Sequence, residues 1–151
     1  MELSTVPVPG MMEKGMTHWE WMRRGQALPP RSALDPADIP RLLAFSCLIE
    51  VLPGGLDFRY LIIGSAIQYA SAPGQTGMKV SEMPSQRAPS IVFDLFSRVV
   101  ASGQPRFARL DYIGQDARIR DVDVGAFPLA GEETPRDPGY IWSLVQLNAK
   151  S

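Results

Sequence analysis

One stretch decides the fold: Ser90-Ile91-Val92-Phe93-Asp94-Leu95-Phe96-Ser97-Arg98-Val99-Val100-Ala101-Ser102-Gly103. Ile91, Val92, Leu95, Phe96, Val99 and Val100 recur at steps of three and four, which lays a continuous apolar stripe along a helix. Ser90 begins that helix, Gly103 ends it, and Pro105 follows as a stop. Such a stripe lies over a sheet, and the sequence on either side supplies the strands.

On the C-terminal side, residues 106–113 and 118–127 read as strands separated by Gly114-Gln115-Asp116-Ala117. The second alternates, with Val122, Val124 and Ala126 on one face and Asp121 and Asp123 on the other, the pattern of a sheet with one wet face. Residues 130–139 are polar and proline-containing and predict a loop. Residues 140–147 form the last strand, with Tyr140, Trp142 and Leu144 on one side. On the N-terminal side, residues 44–51 and 58–63 flank the turn signal Leu52-Pro53-Gly54-Gly55, which predicts an antiparallel hairpin. Gly64 closes the second strand, Ser65 caps a short helix over 66–70, and 71–84, with Pro73, Gly74, Gly77 and Pro84, is a loop with a turn or two of helix.

Further upstream, Pro7, Pro9, Gly10 and Gly15 predict a flexible tail over residues 1–16. Thr17, with Glu20 in capping-box spacing, starts a helix over 18–24. Trp19 and Met22 share a face of it, and Trp21 points elsewhere. Leu28-Pro29-Pro30-Arg31 is held extended by its prolines. Asp35-Pro36 starts another short helix that goes no further than Leu43. The chain therefore divides into a tail (1–16), a helix with a lead-in (17–43) and a core (44–148). The expected fold is α+β: a five-stranded antiparallel sheet with helices on one face and an additional N-terminal helix.

Composition narrows the function. A chain of 151 residues suits one domain, and 45% apolar content is enough for a sizeable core. With 15 basic and 16 acidic residues, nothing draws the chain to nucleic acid by charge. No apolar run approaches a membrane span, and residues 1–10 lack the basic start and apolar core of a secretory signal, so a cytoplasmic location is expected. One cysteine excludes an intrachain disulfide, and one histidine leaves few routes to a metal site.

Several motifs then point to a family. They are Trp21…Arg23-Arg24-Gly25, Leu28-Pro29-Pro30-Arg31, Leu34-Asp35-Pro36, Ile39-Pro40, Asp57-Phe58-Arg59-Tyr60-Leu61-Ile62-Ile63-Gly64-Ser65 and Thr76-Gly77. Together with the order of elements, they resemble a bacterial PAS family that often stands alone on its chain, over roughly residues 17–147. The chain departs from that family at Leu61, where a second arginine is usual. The resemblance implies a sensory or interaction module. PAS domains cup a cavity between sheet and helices, many hold a cofactor or small ligand there, and many pair through helices flanking the sheet. Fold alone does not carry function, so single residues must be weighed.

A haem-binding PAS domain needs an axial ligand, and the sole histidine, His18, precedes the core. A photoactive flavin PAS domain needs a cysteine in an Asn-Cys-Arg setting, whereas Cys47 lies in the first strand between Ser46 and Leu48, where it reads as a small apolar residue. Gly74-Gln75-Thr76-Gly77 reads as a plain turn, and Glu132-Glu133 as a solvated loop. Arg109 and Asp111 pair across strands with Asp121 and Asp123. The residues assign no cofactor and no metal. Strand parity turns Cys47, Tyr60, Ile62, Tyr112 and Val122 toward the long helix and its Phe96. With Tyr69 on the short helix and Trp142 on the last strand, these eight are the expected lining of a pocket for a small apolar or aromatic ligand. Trp19, Trp21 and Met22 are the expected interface, against the chain's own domain, a homodimer partner or a regulatory protein. The expected function is non-catalytic: sensing or regulation through protein–protein contact. The rivals are a ligand-free interaction scaffold and a small α+β enzyme using Tyr60 with an aspartate on a hydrophobic substrate.

Overall fold

The structure is a computed structural model that describes residues 10–71 and 74–150. Helix α1 (Met11–Arg23) leads into short 3-10 turns and the hairpin β1 (Ser46–Val51) and β2 (Phe58–Ile63). The short helix α2 (Ser65–Ala70), the long helix α3 (Ile91–Ser102) and the strands β3 (Arg106–Asp111), β4 (Ile119–Ala130) and β5 (Pro138–Ala149) complete it. The strands form one sheet in the order β2-β1-β5-β4-β3, every pair antiparallel. This is the α+β, PAS-like arrangement that the sequence predicts.

The long helix forms where its caps place it. Ser90 Oγ accepts the Phe93 N–H at 3.0 Å, and Gly103 closes the last turn at φ 65, a left-handed conformation that costs glycine nothing. Val92, Leu95, Phe96 and Val99 are buried on the concave face of the sheet. There Phe58 meets Phe93 and Phe96 edge-on, at centroid distances of 5.5 and 5.4 Å. Ser65 does not cap α2; Gly64 takes that position, without a side-chain bond. Asp35 caps as expected, accepting the Ala37 N–H at 2.9 Å, but the turn it starts is a single 3-10 turn over Pro36–Asp38. Pro40 follows within two residues and lacks the N–H needed to extend it.

The N-terminal reading needs correction. The helix starts at Met11, six residues before Thr17, and residues 10–16 of the expected tail lie in it or at its cap. Residues 1–9 lie outside the described residues. Gly15 is no helix breaker here, because it lets α1 lie close against the sheet. A Cβ at that position would stand 2.4 Å from Leu144 Cδ1 and 3.0 Å from Phe127 Cζ. Trp19 is buried and donates its indole N–H to Pro128 O at 2.8 Å. The outer face of the sheet is therefore covered by α1 over part of β4 and β5, and stays exposed at Ile62 on one side and at Phe107 and Arg109 on the other.

The last loop is shorter than the sequence suggests, whereas the β3–β4 loop is longer, since β3 ends at Asp111 and β4 starts at Ile119. β4 runs on to Ala130, and β5 begins at Pro138. Pro30 bridges to Ala130 and Pro29 O accepts the Ala130 N–H at 2.8 Å, so the extended lead-in straps the end of β4.

Candidate functional site

The predicted pocket residues do not converge. Residues directly opposed in the ladder share a face, so the register assigns each one. Cys47 opposes Ser143 and Ile63, and Ile49 opposes Ile141 and Tyr60, which places Cys47 and Tyr60 on the concave face beneath α3. Val122 shares that face through Leu110 and Leu147, and Phe96 lies over it from α3.

Four of the eight depart from the expectation. Trp142 opposes Leu48 and Phe127, on the outer face, where it packs with His18 of α1. Its neighbour Ile141 is buried on the concave face. With both faces covered, alternation along β5 carries no information about which side is inward. Ile62 is 55% exposed because the ladder shifts register between Leu48 and Ile49: Ile62 opposes Leu48, and Tyr60 opposes Ile49. This bulge breaks the parity that put Tyr60 and Ile62 together. Tyr69 is 53% exposed on α2. Tyr112 is half-buried beyond the end of β3, where its hydroxyl donates to Ala70 O at 2.6 Å and accepts the Asp116 N–H at 2.9 Å.

What remains beneath α3 is filled. Phe58, Phe96, Val99, Ile49 and Ile141 are all fully buried there. The Tyr60 hydroxyl donates to Gln86 Oε1 at 2.7 Å, and burial raises its pKa well above the usual phenol range. Burial likewise pushes the Cys47 thiol up to about 12, so at neutral pH it stays in its protonated, weakly nucleophilic form.

Open space lies on the opposite flank of the sheet. A groove of about 640 Å³ runs between α1 and the β3–β4 ladder, walled by Met12, Met16, Phe107 and Val124, with Glu13 and Arg109 at its rim. A second recess of about 420 Å³ lies between α3 and β3, of mixed character, with Ile91, Leu95 and Phe107 beside Asp94, Arg98 and Arg106. Phe107, 49% exposed, lines both. Arg109 Nε and Nη2 hold the Asp123 carboxylate at 2.8 and 3.1 Å, and that contact keeps the carboxyl below its usual range. Asn148 does the same to Asp121, with Arg120 assisting. The expected pair of Arg109 with Asp123 is therefore present, and both acids are partnered anions rather than proton donors.

The sequence reading passed over this rim. Its signal was Phe107, a large aromatic on the parity of Arg109 and Asp111, hence on a strand face read as wet. Of the expected interface residues, Trp19 and Met22 are consumed by the chain's own sheet, and only Trp21 is exposed, at 54%. His18 stacks on Trp21 at 5.3 Å, and its Nε2 is buried with no hydrogen-bond partner. Among the described residues, no three His, Cys, Asp or Glu side chains gather as a metal site, and no helix is long and apolar enough to cross a membrane. No protein-family model matches the chain, and no curated protein matches it.

Proposed function

We propose that this chain is a cytoplasmic, PAS-type regulatory module that carries no reaction and acts by contact with a partner protein. The observation that supports it is where the free apolar surface lies. The space between sheet and α3 is packed with aromatic and aliphatic side chains, whereas the grooves open outward along β3. A module whose interior is full has its outer surface left for communication. The non-catalytic reading is supported by the state of the polar groups. Tyr60 is committed to Gln86, Cys47 is held as a thiol, and Asp121 and Asp123 are ion-paired or hydrogen-bonded.

The test replaces Met16 or Trp21 with a photo-crosslinking residue in the native cell, with the highly exposed Leu56 as control. Adducts with one other protein from Met16 or Trp21, absent from Leu56, are the expected result. Self-adducts alone, or none, refute partner contact. Native mass spectrometry of the purified chain and thermal shifts against apolar and aromatic compounds complete the test. A retained or stabilising small molecule would replace the filled-core reading with ligand sensing.

A further inference from the structure

We infer that His18 is an acid-sensitive joint between α1 and the sheet: on taking up a proton it weakens the hold of the helix on the outer face. This goes beyond the partner-contact reading and stands on a different observation, an unpartnered nitrogen in the seam. The ring of His18 lies between two indoles. It stacks on Trp21 of α1 at 5.3 Å and meets Trp142 of β5 almost at right angles at 5.8 Å. Its Nε2 is buried and has no hydrogen-bond partner among the described residues. A neutral imidazole can carry its proton on Nδ1 and leave Nε2 as a bare lone pair. An imidazolium carries a proton on both nitrogens, so acid places an N–H in the seam with nothing to accept it.

The charges around the ring come from three sides. On the sheet, Trp142 and the Ser46 hydroxyl that accepts its N–H are both neutral. On the lead-in, the Asp38 carboxylate attracts the protonated ring. On α1, Lys14 lies one turn back and the Arg24 guanidinium stands 5.9 Å over Trp21, both of them cations. The Trp21 face also draws an imidazolium. Burial outweighs the pull of Asp38 and holds the imidazole below its usual pKa. The unfolded ring therefore takes its proton first. The contribution of His18 to the hold of α1 is complete above the ordinary value of 6.5 and drains as pH falls below it. His18 is the sole histidine of the chain, and the perturbed carboxyls Asp57, Asp116, Asp121 and Asp123 are all shifted down, away from this window. What acid loosens is the seat of Gly15 and Trp19 on Phe127, Leu144 and Pro128, so it brings forward an apolar sheet surface that neutral pH keeps covered.

The test is a pH series from 7.5 to 5.0 on the full chain. Proton NMR follows the imidazole C–H signal, which belongs to one residue and should titrate below the ordinary value of 6.5. Urea unfolding at each pH is compared with His18→Phe, which keeps an aromatic ring in the seam and takes up no proton. Across the series the folding constant of wild type should fall by about threefold or more relative to that of the variant. At the acid end the α1 amides of wild type should exchange faster than those of the variant. If circular dichroism shows the phenylalanine variant unfolded, His18→Gln, also uncharged over this range, takes its place. Parallel curves for wild type and variant overturn the inference, as does a His18 titration at or above the ordinary value. Neither result touches partner contact, which the crosslinks from Met16 and Trp21 read separately.

Discussion

Replacing Trp19 with alanine tests whether α1 belongs to the cooperative unit of the domain. The indole is buried against the outer face of the sheet, and its N–H bonds to Pro128 O across 109 residues of chain. Truncating a buried tryptophan to alanine costs about 3–5 kcal/mol through lost burial and the cavity left behind. Here it also leaves the Pro128 carbonyl without its indole donor, which puts the expected loss at the upper end of that range. Trp19→Phe is the milder companion variant. It keeps one aromatic ring and removes the donor together with part of the indole, so a smaller loss, about 1–3 kcal/mol, is expected. Both are read by urea unfolding with far-ultraviolet circular dichroism, with hydrogen exchange reporting on the α1 amides. The alanine variant should unfold at lower urea in a single transition. A shift under about 1 kcal/mol, with exchange rising only in α1, would mean that the helix is an appendage, and the reasoning would fail.

Three further outcomes follow from buried or crowded positions. Ser46 Oγ donates to Leu42 O at 2.9 Å and accepts the Trp142 indole N–H at 3.0 Å, both buried. Ser46→Ala should cost about 1–3 kcal/mol in chemical denaturation, because the indole donor is then orphaned, and Ser46→Thr is the control that keeps the hydroxyl. Cys47 has a folded pKa raised from 9.0 to about 12 and Tyr60 is raised in the same sense, so both must stay protonated in the fold. Their stabilisation is complete below the unfolded values and drains as pH rises, at about 1.4 kcal/mol per pH unit for each group. Stability measured at intervals above pH 9 should fall, less steeply in Cys47→Ala, and iodoacetamide should label native Cys47 only after unfolding. Gly64→Ala should be severe, because the new Cβ would meet Ala44 O at 2.4 Å. Wild-type expression and melting temperature in that variant would refute the close approach.

Legibility in the sequence followed how strictly one residue type commits the backbone. β2 spans the residues read for it, and α3 starts and ends where Ser90 and Gly103 put it. Both elements carry one-sided or β-branched patterns bounded by residues with few alternatives. The start of α1 was not legible, because Gly15 alone reads as a breaker and becomes an asset only when Phe127 and Leu144 are seen beneath it. Half of the candidate pocket was misplaced for tertiary reasons. Ile62 was inverted by a bulge that depends on its partner strand, and Trp142 was turned outward on a strand buried on both faces. Tyr69 and Tyr112 lie at the margin of the core, where parity says nothing about depth. The β3 rim went unread because an edge strand is defined by the absence of a neighbour, which no local pattern encodes.

The bond from Trp19 to Pro128 also sets a timetable for biosynthesis. During synthesis α1 leaves the ribosome early, yet its seat on β4 and β5 is made only when the second half of the chain has emerged. Until then Met11, Trp19 and Met22 lack the apolar seat that the folded sheet gives them. That interval ends when the closing strand hands the helix its resting place.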